Sequence, residues 1–134
     1  MNFAVNYLAV LGAAIAGAVI NAAWYSGIFA RQVNALRAAD PTIAGRAPAP
    51  PLYSVALAAQ LIMAFTLAVF LRTLGFTGWG NGAMVGFFAW LGFTVTALAV
   101  VQTFGYRKPM FTVIDGGNWL VTLLAMGAII GALG

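Results

Sequence analysis

Apolar residues run through this chain in four long blocks, separated by short stretches of charge, proline and glycine. The first block runs from about residue 3 to 29, with no charge before Arg31. The second covers about 52–71, between Pro48-Ala-Pro-Pro51 and Arg72. The third covers about 82–104, after the turn-forming Gly75-Phe-Thr-Gly-Trp-Gly-Asn-Gly82. The fourth covers about 110–133 and is entered through Pro109. Each is near or above the ~20 residues that carry a helix across a bilayer. Strands of a closed barrel would alternate apolar and polar side chains, and these blocks do not. The pattern predicts an all-α integral membrane protein: a single domain over 1–134, built as a bundle of four transmembrane helices with a loop at about 30–51.

Composition strengthens that reading. The chain is 63% hydrophobic and 6% charged, with a mean hydropathy of +1.00, where soluble domains carry roughly 25% charged residues. A soluble fold of 134 residues has too little interior to hide so much apolar surface. The expected partner is therefore the lipid bilayer. The net charge of +4 comes from six basic residues lying between the apolar blocks, so it forms no stripe suited to nucleic acid.

Those basic residues set an orientation. The 30–51 loop holds Arg31, Arg37 and Arg46, and the connector before Pro109 holds Arg107 and Lys108; the opposite connector holds only Arg72. A five-to-one bias places the two basic connectors in the cytoplasm and both termini outside. It also disfavours a protein that inserts both ways. A cleaved signal peptide is disfavoured at the first block, which lacks a basic n-region and is too long for an h-region. Within the loop, 31–39 is rich in helix formers and could run along the membrane surface until Asp40-Pro41 stops it. Pro48–Pro51 then makes a stiff, extended approach to the second helix.

Chemistry is sparse. There is no Cys or His, and Asp40 and Asp115 are the only carboxylates. Thiol chemistry, His- or Cys-bound metals and Ser-His or Cys-His nucleophiles are excluded. The two aspartates fall in different environments, one in a polar loop and one beside a membrane helix. We expect a non-enzymatic protein with no catalytic residue, no cofactor and no metal.

The informative residues are polar ones inside apolar blocks, because an unpaired amide or carboxyl in hydrocarbon is costly. Asn21 lies ten residues before Arg31, Gln60 nine after Pro51, and Asn118 nine after Pro109, about 13–15 Å along their helices. Three helices thus place an amide at similar depth. Asp115 lies one turn shallower than Asn118. Small residues recur beside these amides: Ala9, Ala13, Gly17 and Asn21 on the first helix; Ala56, Gln60, Ala64 and Ala68 on the second; Gly82 and Gly86 on the third; Asp115, Asn118, Thr122 and Ala125 on the fourth. Small residues permit close approach in lipid and amides can bond across it. These faces predict a candidate polar layer of Asn21, Gln60, Asp115, Asn118 and Thr122 on the cytoplasmic half. Ala13, Gly17, Gly82 and Gly86 are the helix-packing positions. The layer can be interhelical glue, or it can line a path or a pocket. Asp115 could couple to protons or cations, or sit near a helix start beside Arg107 and Lys108. Gly116-Gly117 would let that helix begin late. Trp24, Tyr25, Tyr53, Trp79 and Tyr106 fall near helix ends and read as interface anchors. Trp90 and Trp119 sit deeper, where an indole N–H needs a partner.

One pattern is recognisable. Ala23-Trp-Tyr-Ser-Gly-Ile-Phe29, Gly86-Phe-Phe-Ala-Trp-Leu-Gly-Phe93 and the Leu123-Leu-Ala-Met-Gly-Ala-Ile-Ile130 tail resemble the family catalogued as domain of unknown function 1761. Gly27 stands where its members often carry proline. The resemblance covers nearly the whole chain and implies a small, multi-pass protein of the bacterial inner membrane with four helices. It brings no established activity.

Three functions are consistent with these features. The leading expectation is a protein acting through helix packing, as a homo-oligomer or an accessory subunit of a membrane complex. The others are a small oligomeric channel or transporter, and a lipid- or quinone-binding module. A transport path would need polar positions through both leaflets, whereas the half of each block away from the basic connectors is largely apolar.

Overall fold

The computed structural model describes residues 3–39, 41 and 50–134. It is helical, and four stretches are long and apolar enough to cross a membrane: Tyr7–Ile28, Tyr53–Leu74, Trp79–Phe104 and Pro109–Leu133. The first span comprises α1 (Tyr7–Ala23) and a π-helical turn, Trp24–Ile28. Phe29 breaks the helical path, and α2 (Ala30–Ala38) follows as a short helix carrying Arg31 and Arg37. Arg46 and Asp40 lie outside the described residues. The second span is α3 (Pro50–Leu74). Pro50 and Pro51 therefore belong to its first turn, where a proline's missing N–H costs nothing, and not to an extended approach. Pro48 lies outside the described residues.

The third span starts at Trp79, three residues before the apolar block suggests, and is interrupted midway. Helix α4 (Trp79–Ala89) passes through a second π-turn, Trp90–Thr94, into α5 (Val95–Phe104). The fourth span, α6 (Pro109–Leu133), is unbroken and opens on proline at N1. Gly116 and Gly117 lie inside it, so the helix does not begin late.

The four spans are not equivalent. Helix α6 packs on α1, α3, α4 and α5, and holds the others together. Of its most apolar stretch 44% is buried, against 11% for the third span. The core lies where α1, α3 and α6 converge, on Ala13, Ala64, Leu67, Leu123 and Met126. Many large apolar side chains point outward, among them Leu8, Phe93, Phe104 and Val113. A soluble protein would not tolerate such exposure, whereas lipid suits it.

The α4–α6 contact is made by backbone. Gly82 and Gly86 are buried, and a β-carbon at either would collide with the carbonyls of Gly127 or Leu123. Gly127 and Gly131 are buried in return, and Gly78 N donates across the contact to Gly131 O at 2.9 Å. Two Gly-xxx-Gly pairs thus interlock, the small-residue mode by which helices approach closely in lipid. At the same end, Asn6 caps α1 by accepting from Leu8 N and Ala9 N at 3.1 and 3.3 Å, while its Nδ2 donates to Leu133 O at 3.1 Å. The start of α1 and the end of α6 therefore lie at one end of the bundle.

Candidate functional site

The polar residues gather towards the opposite end, that of the basic connectors, around the first turns of α6. Asp115 stands at their centre. Tyr25 OH donates to its Oδ1, and Gln102 Nε2 donates to its Oδ2 at 2.6 Å. Thr112 Oγ1 completes the chain by donating to Gln102 Oε1 at 2.6 Å. One carboxylate thereby joins the first, third and fourth spans, and both of its oxygens are engaged. Bonds to a charged acceptor are the stronger kind, and burial strengthens them further.

Two tryptophans clamp α6 on either side of Asp115. Trp24 Nε1 donates to Ile114 O at 2.9 Å, and Trp90 Nε1 to Gly116 O at 2.8 Å. Each tryptophan opens one of the two π-turns. Adjacent residues on a regular α-helix point about 100° apart. The wider turn at Trp24 lets that residue and Tyr25 both reach α6. The glycines below make room: a β-carbon on Gly117 would lie 2.9 Å from Trp24 Cζ2, and one on Gly116 would lie 3.4 Å from Val95 Cγ2. Arg107 is held at the edge of the cluster, its guanidinium 4.2 Å from the centre of the buried Phe111 ring.

A second polar group lies one to two turns deeper. Thr122 Oγ1 donates to Asn21 Oδ1 at 3.4 Å, a long bond that links the fourth and first spans. Gln60 and Asn118 are each only 1% exposed. Neither Gln60 amide atom, nor Asn118 Oδ1, has a hydrogen-bond partner among the described residues. Gln60 packs against Gly17, where a β-carbon would strike its amide and the Met126 methyl. It also borders a cleft of about 600 Å³ between α1, α2 and α3, with Asn21, Tyr25, Asn34 and Arg37 among the lining residues.

The proposed polar layer is thus two clusters: Asp115 with Tyr25, Gln102 and Thr112, and the deeper Asn21, Gln60, Asn118 and Thr122. Of the residues whose position suggests interface anchoring, Tyr53, Trp79 and Tyr106 are exposed. Trp24 and Tyr25 instead turn inward to α6. Ala13, Gly17, Gly82 and Gly86 are buried at helix contacts. Gln102 and Thr112 escape the sequence reading. Gln102 carries the same signal as Gln60, an amide in an apolar run, but lies close enough to Arg107 to pass for an interface residue. Among the described residues no group of three or more His, Cys, Asp or Glu side chains could hold a metal ion.

The architecture is that of a multi-pass, all-helical membrane protein with four candidate spans. Residues 8–131 match the family described as "Protein of unknown function (DUF1761)", and the chain belongs to that family. No curated protein and no solved structure matches it.

Proposed function

We propose that this is a non-enzymatic protein of the bacterial inner membrane that works by association, as a homo-oligomer or as an accessory subunit of a larger membrane complex. The observation that carries this reading is the bridging of three spans by Asp115. Its Oδ1 accepts from Tyr25 and its Oδ2 from Gln102, on two other spans, which suits a clasp that fixes the spans relative to one another.

A channel or transporter with Asn21, Gln60, Asp115 and Asn118 near its path is the second reading, and the interior beyond the amides argues against it within one chain. There the facing side chains are Ala13, Ala64 and Met126, each fully buried. Such an apolar, packed half offers an ion or polar solute no partners. A path would then have to lie between copies.

The basic connectors favour a cytoplasmic location for the Asp115 end and an outside location for both termini. A reporter fused to the C-terminus should be active only outside the cytoplasm. Association is tested by purifying the protein from native membranes in mild detergent and weighing the particle with everything that accompanies it. A defined oligomer or a stoichiometric partner is expected, and a lone monomer without one would overturn the reading.

A further inference from the structure

We propose that the cleft between α1 and α3 is a binding site for an anionic glycerolipid, with its phosphate at Arg37 and the oxygens of its glycerol backbone at Gln60. Three observations converge on this ligand. Gln60 is 1% exposed, borders the cleft, and has both amide atoms unpartnered among the described residues. An amide left so in apolar surroundings is costly; it lies against Gly17, and a turn of the Gln60 side chain towards the cleft would pair it with an oxygen supplied there. Among the described residues Arg37 is the only charged one in the lining, and it sets a cation at the α2 end of the cleft. Between and beside them, Asn21 and Asn34 add polar contacts, while Ala22 and Leu57 contribute an apolar wall.

This order of chemistry excludes simpler occupants. A hydrocarbon chain alone would leave the Gln60 amide unpaired and place nothing at Arg37. Free phosphate would satisfy Arg37 and make no use of the apolar wall. A glycerolipid presents an anionic oxygen, then ester or hydroxyl oxygens, then hydrocarbon. The volume of about 600 Å³ falls in the range of small-molecule sites. The ligand is independent of how the chain assembles: a monomer that retains the lipid would defeat the association reading and leave this one standing.

The test is native mass spectrometry of the full chain in mild detergent, titrated with phosphatidylglycerol, palmitoyl lysophosphatidylglycerol and phosphatidylcholine. At least one anionic lipid should be retained about tenfold more tightly than phosphatidylcholine. A preference for phosphatidylglycerol assigns the site to the bilayer's own two-chain lipid; a preference for the lysolipid assigns it to a single-chain one. Gln60→Leu, which keeps the volume and removes the amide, should lower retention about tenfold while thermal stability stays equal or rises. Arg37→Gln, on the exposed face of α2, should abolish the preference for the anionic head and leave the fold intact. Undiminished retention by Gln60→Leu would overturn the proposal, as would equal retention of phosphatidylcholine by the parent. So would a loss of stability in Gln60→Leu, because the amide would then be held by the protein itself.

Discussion

Trp24 of the first span lies against Gly117 of the fourth, so close that a β-carbon there would stand 2.9 Å from the indole. The same indole donates to Ile114 O, so the ring cannot retreat without giving up its hydrogen bond. Gly117→Ala should therefore destabilise the protein by about 1–3 kcal/mol, the range for overpacking a fitted contact. Pairing it with Trp24→Phe, which already lacks the indole N–H, should recover part of that loss. Unfolding in mixed micelles measures both, and an unchanged midpoint for Gly117→Ala would contradict the contact.

Asp115 is expected to tolerate asparagine and not leucine. In Asp115→Asn one oxygen still accepts from Tyr25, and Gln102 can turn its amide so that Thr112 accepts instead of donating. Asp115→Leu leaves Tyr25 OH and Gln102 Nε2 without their acceptor, at roughly 1–3 kcal/mol for each unpaired buried group. The measurement is the ratio of the two losses in stability. Similar losses would mean that the carboxylate holds the spans by charge alone.

Gly86 has backbone of α6 on its face and no flexible side chain to push aside. Gly86→Leu should separate α4 from α6 and cost more than ~3 kcal/mol, in the class of severe packing defects. Gly92, on the same span, has open space around it, and Gly92→Leu should be nearly neutral. Cross-linking between cysteines placed at 83 and 128 distinguishes separation from general unfolding.

Tyr106, 96% exposed, adopts φ 55°, a left-handed conformation that side chains other than glycine's disfavour. Tyr106→Gly should stabilise the connector by ~1 kcal/mol through relief of that strain, provided the ring makes no contribution at the interface. A drop in stability would assign the ring an anchoring role worth more than the strain.

The span count, the amides and the glycines were legible because each breaks a pattern: an amide in an apolar run, or a small residue every fourth position. Trp24 and Tyr25 were not. Position along the chain makes them interface residues, but whether an aromatic near a helix end faces headgroups or a neighbour depends on helix rotation. That rotation is altered here by the π-turn at Trp24–Ile28, which has no distinct composition. The apolar periodicity likewise shows four faces without showing that three of them meet one helix. Gly127 and Gly131 carry the spacing that would have named α6 as the partner of Gly82 and Gly86, but they lie in a tail rich in small residues throughout.

That the hub of the bundle is made after the three spans it packs on has a consequence for biogenesis. Synthesis delivers the earlier spans first, and Tyr25, Trp24, Trp90 and Gln102 then enter the bilayer before the carboxylate and carbonyls they bond to. The first and second spans can pair, since α1 packs on α3 directly. The third has little to hold until α6 arrives between them. Nascent chains cut short before Pro109 should thus be inserted yet loosely associated, and fit substrates for membrane quality control. The bundle closes in one step, the docking of α6, which supplies together the bonds that Asp115 and its two flanking carbonyls make to Tyr25, Gln102, Trp24 and Trp90.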